Sequence, residues 1–373
     1  MKIGFDAKRY YHNNTGLGNY SRTVVSSLQR LFPEHDCLLY DEKTFSRTFR
    51  LGGKAAGDGC DIFHGLSNEL PMDISRTGAG HGAMHRMRSV VTIHDTAWRT
   101  FPDMYHWADR HIYDFKYGRS CRKADRVVAI SESTKRDIMR FYDVPEERIE
   151  VIYQPVQAYY YEPMAESEAE SLIREHFGDA LSDGTSGVRP YVLYVGSINS
   201  RKNLLTLVKA IGLIPAENRP LLLVVGNGRE YRREVEEYIH RHRLEQWVKI
   251  AADIHNNRLL QALYRQAAVF AYPSFYEGFG LPVVEAALQR TPVITSTVSS
   301  LPEAAGPDAC LVDPHDSHCP EHIAYHIDRL LSDTAQRQSM GKKLERYARE
   351  AFDPDRLTRQ MMAMYERLVA TDI

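Results

Sequence analysis

No stretch of this 373-residue chain approaches the roughly 18 consecutive apolar residues that a membrane-spanning helix needs. There is no CxxC pair. The five cysteines, Cys37, Cys60, Cys121, Cys310 and Cys319, are isolated and odd in number, which argues against a disulfide framework and fits a reducing compartment. No apolar leader precedes the first strand-like run, Ile3–Phe5, so no secretory signal is expected and a cytoplasmic location is. A large charge of one sign is also missing: 47 Lys and Arg stand against 49 Asp and Glu, which disfavours a general nucleic-acid partner. The small imbalance is local, with 23 bases to 20 acids in residues 1–155 and 24 to 29 in the remainder. That tilt suits an anionic acceptor or a membrane surface, and leaves peripheral contact with the inner face of the plasma membrane open.

What the chain does have is alternation. Short apolar runs at Ile3–Phe5, Cys37–Tyr40, Asp61–His64, Val90–His94 and Val127–Ser131 are separated by stretches of helical spacing. After residue 185 the pattern restarts with Tyr191–Gly196, Leu221–Gly226, Val248–Ala251, Val269–Pro273, Val293–Ser296 and Cys310–Val312. Continuous apolar strands alternating with helices predict parallel sheets covered on both faces, and two series predict two doubly wound α/β domains. The expected boundaries are 1–160 for the first domain, 161–184 for a linker, and 185–354 for the second. A last helix over 355–373 follows, with Leu357, Met361, Met364, Tyr365 and Leu368 in helical register. The Gly-rich stretch 77–83 predicts a loop within the first domain.

Four segments carry candidate chemistry. Tyr272–Glu285 (YPSFYEGFGLPVVE) predicts a strand end, a loop with Gly278 and Gly280, and a helix opening at Pro282 with Glu285 in its first turn. Free N–H groups beyond Gly280 would form an anion site, and a carboxylate such as Glu277 can accept hydrogen bonds from sugar hydroxyls. Tyr194–Asn203 repeats the strand–loop–helix pattern and brings Arg201 and Lys202 to the carboxyl end of a parallel strand, where two cations suit a diphosphate; Asn203 would cap the helix. Thr15–Tyr20 contains only a partial glycine fingerprint, with Ser21 at the third glycine position, which disfavours a dinucleotide cofactor. Thr92–Asp95 ends an apolar strand with His94, able to meet a sugar hydroxyl, and Asp95, able to orient it or to meet an acceptor. Gly226, also at a strand end, could touch a donor. Each feature alone has a plain structural explanation as well. The His315, His318 and Cys319 cluster lacks further ligands, so no metal is expected. Asp353-Pro-Asp355 precedes a helix, where Asp355 reads as an N-cap.

Taken in order, these segments resemble the family-4 retaining glycosyltransferases of the GT-B fold, and the mannosyltransferase-like members in particular. Glu277–Glu285 is like the family's E-x7-E motif, Arg201-Lys202-Asn203 its donor-phosphate segment, and Ala129–Thr134 and Leu311–Pro314 further signatures. The resemblance implies two Rossmann-like domains facing a central cleft, with the last helix crossing back to the first. It implies Glu277 on the transferred sugar, Glu285 on the ribose, and Arg201 and Lys202 on the diphosphate. Backbone at Gly16, Gly226, Gly278, Phe279, Gly280 and Leu281 would complete the donor site, and His94 would sit near the sugar. Thr15 departs from the family's usual double glycine. The implied reaction moves a hexose from GDP-mannose or a UDP-sugar to a saccharide acceptor, lipid-linked on family grounds, with no cofactor and no metal. A nucleotide-sugar epimerase and a non-catalytic sugar-binding protein are the alternatives.

Overall fold

A computed structural model describes residues 1–13, 16–74, 86–182, 184, 187–252, 254 and 256–370. The expected loop 77–83, Thr15, and the positions Asp253 and His255 lie outside the described residues.

Among the described residues, twelve strands form two six-stranded sheets, and every pairing within them is parallel. The first sheet consists of β1 (Lys2–Asp6), β2 (Asp36–Tyr40), β3 (Ile62–Gly65), β4 (Arg88–Ile93), β5 (Arg126–Ala129) and β6 (Ile149–Val151), in the order β2-β1-β3-β4-β5-β6. The second comprises β7 (Tyr191–Val195), β8 (Leu221–Val225), β9 (Val248–Ala251), β10 (Val269–Tyr272), β11 (Val293–Ser296) and β12 (Cys310–Val312), in the order β12-β11-β10-β7-β8-β9. Strands such as Leu221–Val225, buried at all five positions, are covered on both faces by helices, as their unbroken apolar sequence requires. The short β6 is absent from the sequence expectation because Glu150 interrupts three residues too few to show a pattern.

The chain divides into two compact units: Met1–Gln157 with Phe352–Ile373, and Ala158–Ala351. Residues 166–177, the acidic stretch of helical character in the expected linker region, form a helix that falls within the second unit. Ala169 and Ile173 bury one side of it against the helix Asn257–Gln266, and Gln261 donates to the Glu162 carbonyl at 3.0 Å. The acidic composition that suggested a linker belongs to its solvent face.

The last helix, Pro354–Ala370, packs on Gly16–Leu31 of the first unit. Leu357, Met361, Met364, Tyr365 and Leu368 enter the same core as Ile3, Phe5 and Tyr20. Its N-cap is not Asp355. Asp353 accepts from the Arg356 N–H at 2.6 Å, while Asp355 pairs with Arg30, because Pro354 already occupies the first helical position.

A buried polar chain runs through this core. Tyr20 and Thr92 hydroxyls lie 3.1 Å apart, Thr92 meets His64 Nε2 at 2.8 Å, and His64 Nδ1 meets the Tyr365 hydroxyl at 2.5 Å. Burial holds the His64 pKa down at about 3, so the ring is neutral and each ring nitrogen depends on a protein partner. Tyr365→Phe leaves one of them unsatisfied. It should therefore lower stability by about 1–3 kcal/mol, read by urea unfolding of the intact chain.

Candidate functional site

The order of the second sheet places its topological switch point between β7 and β10. The chain starts at β7, proceeds outward through β8 and β9, then returns to the other side of β7 with β10. Loops leaving the carboxyl ends of two such strands diverge and leave a crevice for a ligand. Those two loops are the ones that carry Arg201 with Lys202 and Glu277.

After β7 the chain makes a short turn, Ser200–Lys202, stabilised by Asn199, whose side chain accepts from the Lys202 N–H at 3.2 Å. Asn203 then adopts a left-handed conformation ahead of the helix Leu204–Leu213. It does not cap that helix through its side chain, as expected. Its amide donates to the Pro273 carbonyl at 3.0 Å and so ties the turn to the end of β10. A further bond, Phe275 N–H to the Arg201 carbonyl at 2.8 Å, closes the seam, and Ser274 Oγ lies 3.0 Å from the same carbonyl.

The charged groups converge on this seam. Lys202 Nζ is 2.7 Å from Glu277 Oε1, and Arg201 Nη1 is 3.4 Å from Glu277 Oε2. Lys202 also donates to the Tyr272 hydroxyl, Arg201 donates to the Tyr276 carbonyl, and Ser274 Oγ donates to Glu277 Oε1 at 2.9 Å. Glu277 is only 8% exposed, and burial by itself pushes its pKa up. Lys202 and Arg201, helped by the hydrogen bonds from Lys202 and Ser274, outweigh burial and hold it below the ordinary carboxyl value. Glu277 is a fixed anion.

The loop beyond it is pinned from β11. Ser299 Oγ accepts the Glu277 N–H at 3.0 Å, and Ser300 Oγ lies 2.8 Å from the carbonyls of both Glu277 and Phe279, which share its single proton. Gly278 is half-exposed at the apex, and Phe279 is buried. Gly280 is the N-cap of the helix Leu281–Leu288 with φ 104°, a left-handed value that glycine alone adopts without strain. Among the described residues no acceptor meets the N–H of Gly280 or Leu281. Two donors at a helix N-terminus are thus available to an anion.

Glu285 lies in the second turn of that helix, not the first, because the helix opens at Leu281 directly behind Gly280. It is half-buried and accepts from the Tyr264 hydroxyl at 2.8 Å. Burial raises its pKa to about 7, and the hydrogen bonds from Tyr264 and Tyr160 offset only part of that.

The remaining candidates are placed as follows. Gly226 follows β8, and a Cβ there would stand 1.9 Å from the Gly196 carbonyl oxygen, so close backbone approach accounts for this glycine without a ligand. In the first unit, His94 follows β4 and is buried. Its Nε2 is 2.9 Å from the Leu66 carbonyl, which can only accept, so Nε2 carries the proton and Nδ1 is left as an acceptor. Burial lowers its pKa, so the ring is neutral. Asp95 accepts the Ala97 N–H at 3.1 Å in a local turn. Gly16 opens the helix Gly16–Leu31, with open space where a Cβ would be. No group of three or more His, Cys, Asp or Glu among the described residues is placed to hold a metal.

The site includes residues to which the sequence assigned no role. Tyr272 and Ser274 lie inside the most informative segment, but their contacts with Lys202 and Glu277 depend on the strand pairing. Ser299 and Ser300 come from a third strand end, and only the Ser-Ser pair ahead of a Leu-Pro helix start hints at them.

Residues 183–347 match the family model for glycosyl transferases group 1, and residues 29–158 match that for Glycosyltransferase Family 4. O-antigen chain mannosyltransferase B of Escherichia coli is 32% identical over 282 residues, 74% of this chain and 67% of that protein. Among solved structures, sucrose-phosphate synthase from Thermosynechococcus elongatus aligns over 100% of both chains with TM-score 0.75 and 21% identity. Anabaena HepE in complex with UDP-glucose aligns over 98% of this chain and 100% of its own, with TM-score 0.72 and 17% identity.

The Glu285 shift has a consequence for stability. The folded state holds the proton up to about pH 7, whereas an ordinary carboxyl releases it near 4.5. The advantage is therefore complete below about pH 4.5 and is lost as the pH rises through about 7. Glu285→Gln keeps an acceptor for Tyr264 and cannot ionise. It should stabilise the protein more at about pH 8.5 than at about pH 5.5, by at most about 3 kcal/mol, in chemical unfolding at the two pH values.

Proposed function

The chain belongs to glycosyltransferase family 4, with the GT-B fold, and from that premise we propose that it transfers a hexose from a nucleoside-diphosphate sugar to a saccharide acceptor with retention at the anomeric carbon. The observation that carries this reading is the Arg201–Lys202–Glu277 cluster at the switch point of the second sheet, beside the free N–H groups of Gly280 and Leu281. Departure of a nucleoside diphosphate places negative charge on its terminal phosphate. Fixed cations and oriented N–H groups stabilise that charge without a metal ion. Glu277 holds both cations in place and remains an anion able to accept from the hydroxyls of the transferred sugar. Glu285, four residues into the helix, meets the ribose hydroxyls. Neutral His94 offers Nδ1 to a donor-sugar hydroxyl, and Asp95 meets the acceptor.

Retention follows if the acceptor attacks from the face that the diphosphate leaves. The C1–O bond to phosphate breaks, the C1–O bond to the acceptor forms, and the acceptor's hydroxyl proton passes to the departing phosphate oxygen. No second carboxylate is needed as a nucleophile. GDP-mannose is the first donor to test, on the strength of the E. coli mannosyltransferase, and UDP-sugars come next. A lipid-linked saccharide of O-antigen-like polysaccharide assembly is the corresponding acceptor class.

A panel of nucleotide sugars, followed by thermal shift and sugar release, tests donor use. Lys202→Ala and Glu277→Ala should each lower transfer by about 10²–10³-fold while the fold is retained. Near-normal turnover in both would overturn these roles. The product should keep the donor's anomeric configuration by NMR, and EDTA should leave the rate unchanged. An inverted product, or a rate lost to EDTA and restored by a divalent cation, would refute the mechanism.

A further inference from the structure

At the amino end of the second sheet, opposite the crevice, lies a cavity of about 430 Å³. The residues just ahead of β7, β10 and β11 line it, so three adjacent strands carry the crevice loops at one end and this cavity at the other. Around it stand four cations, Arg265, Arg290, Arg337 and Lys342, against a single lining carboxylate, Glu166. All five belong to the unit Ala158–Ala351.

Arg265 stands in the last turn of the helix Asn257–Gln266, and Arg290 two residues beyond the helix Leu281–Leu288. Basic residues at helix carboxyl ends complement the helix dipole, which accounts for these two without a ligand. The other two come from the helix Thr334–Ala351, with Arg337 close to its amino end, where the dipole disfavours a cation. Gly341 lets this helix press against Arg290, since a Cβ there would stand 2.0 Å from the Arg290 carbonyl oxygen. That close approach brings the second pair of cations to the first. Little in the protein answers the charge. Among the described residues, Arg265 and Lys342 meet no hydrogen-bond or ion-pair partner. Arg337 donates to the Leu330 carbonyl at 3.0 Å, a neutral group that fixes the side chain and leaves its charge in place. Arg290 has Glu345 at 2.5 Å, but that carboxylate is shared with Arg349 at 3.0 Å. Four like charges around one cavity repel, and an anion with more than one charge relieves the repulsion.

We propose that this cavity binds a phosphate chain of two or more units, free or as the diphosphate of a nucleotide. Guanidinium forks match the paired oxygens of phosphate, and the Lys342 ammonium adds a point charge. Cations drawn from separate helices suit a ligand with several charged groups better than a single phosphate. The volume falls in the range of about 300–1,000 Å³ typical of small-molecule sites. Arg290, Gln338 and Lys342 are exposed, so the ligand reaches the cavity from solvent. None of these residues belongs to the crevice, and the site stands whether or not the donor reading does.

Calorimetric titration of the full chain with inorganic pyrophosphate decides it. The chain should show a binding event that Arg265→Ala with Lys342→Ala weakens about ten-fold or more. Neither side chain bonds to the rest of the described protein, so the double variant should keep the fold and melt as the unaltered chain does. Arg122→Ala with Lys123→Ala removes the same charge from the first unit and should leave the binding unchanged. Three results overturn the proposal: no binding event, an event that the Arg265, Lys342 variant keeps at full strength, or equal weakening by both pairs. Pyrophosphate held only in the crevice would give the second of these. Titration of the same chains with ADP identifies the source of the phosphates. An event tighter than that of pyrophosphate, and weakened by the same variant, assigns the cavity to a nucleotide; one no tighter assigns it to a free phosphate chain.

Discussion

A carboxylate that is 8% exposed keeps its charge only if cations and hydrogen-bond donors replace the water it has lost. Glu277 has Lys202, Arg201 and Ser274 in that role; Arg201 is fixed in turn by the Tyr276 carbonyl and Lys202 by the Tyr272 hydroxyl. Breaking one member of a buried ion cluster strands the others at a cost of about 3–5 kcal/mol. The turn Ser200–Lys202 and the loop 273–280 are thereby held as one object, although about seventy residues separate them in sequence, a separation the bonds between them span directly. The two cations are thus oriented before any ligand arrives, and the unmet N–H groups of Gly280 and Leu281 belong to the same loop as Glu277.

The sheet order is what brings that cluster together. Had β10 been added outside β9, its loop would have emerged far from the turn after β7, and the charges would have remained solvated. The reversal of direction at β7 brings the two strand ends side by side and splays their connections apart. The same arrangement explains the demands on Gly226 and Gly280. One lets the end of β8 pass within contact of the Gly196 backbone, and the other turns the chain sharply enough to aim a helix N-terminus at the crevice.

Much of this was legible in the sequence because strand burial is written as short, largely apolar runs, and eleven of the twelve strands among the described residues coincide with such a run, β9 despite Lys249. Arg201, Lys202, Glu277 and Glu285 were found because polar residues immediately after such runs fall at strand ends. Contacts set by strand neighbours were not legible. The Tyr272 hydroxyl on Lys202, Ser299 and Ser300 on the Glu277 loop, and the Asn203 amide on Pro273 all depend on which strands lie adjacent. Local register also misled at single positions. A helix start at Pro282 puts Glu285 in the first turn, whereas the actual start one residue earlier, at Leu281, puts it in the second; the capping role expected of Asp355 falls to Asp353 because Pro354 already opens the last helix.

The two glutamates of one short motif illustrate how little spacing says about chemistry. Glu277 has cations on both oxygens and is held charged, whereas Glu285 has only tyrosine hydroxyls for company and has its proton affinity raised to the edge of neutrality. Tyrosines so deeply buried stay protonated, so they can donate to Glu285 but cannot supply the positive potential that would keep it ionised. Its charge therefore depends on additional donors, and the two hydroxyls of a ribose are donors of that kind. Binding there would draw the proton off Glu285, whereas binding at Glu277 finds the anion already formed. On the proposed donor reading, one carboxylate is thus a permanent part of the electrostatic frame and the other a group whose ionisation would respond to what occupies the site, a division of roles set by their neighbours and not by their place in the chain.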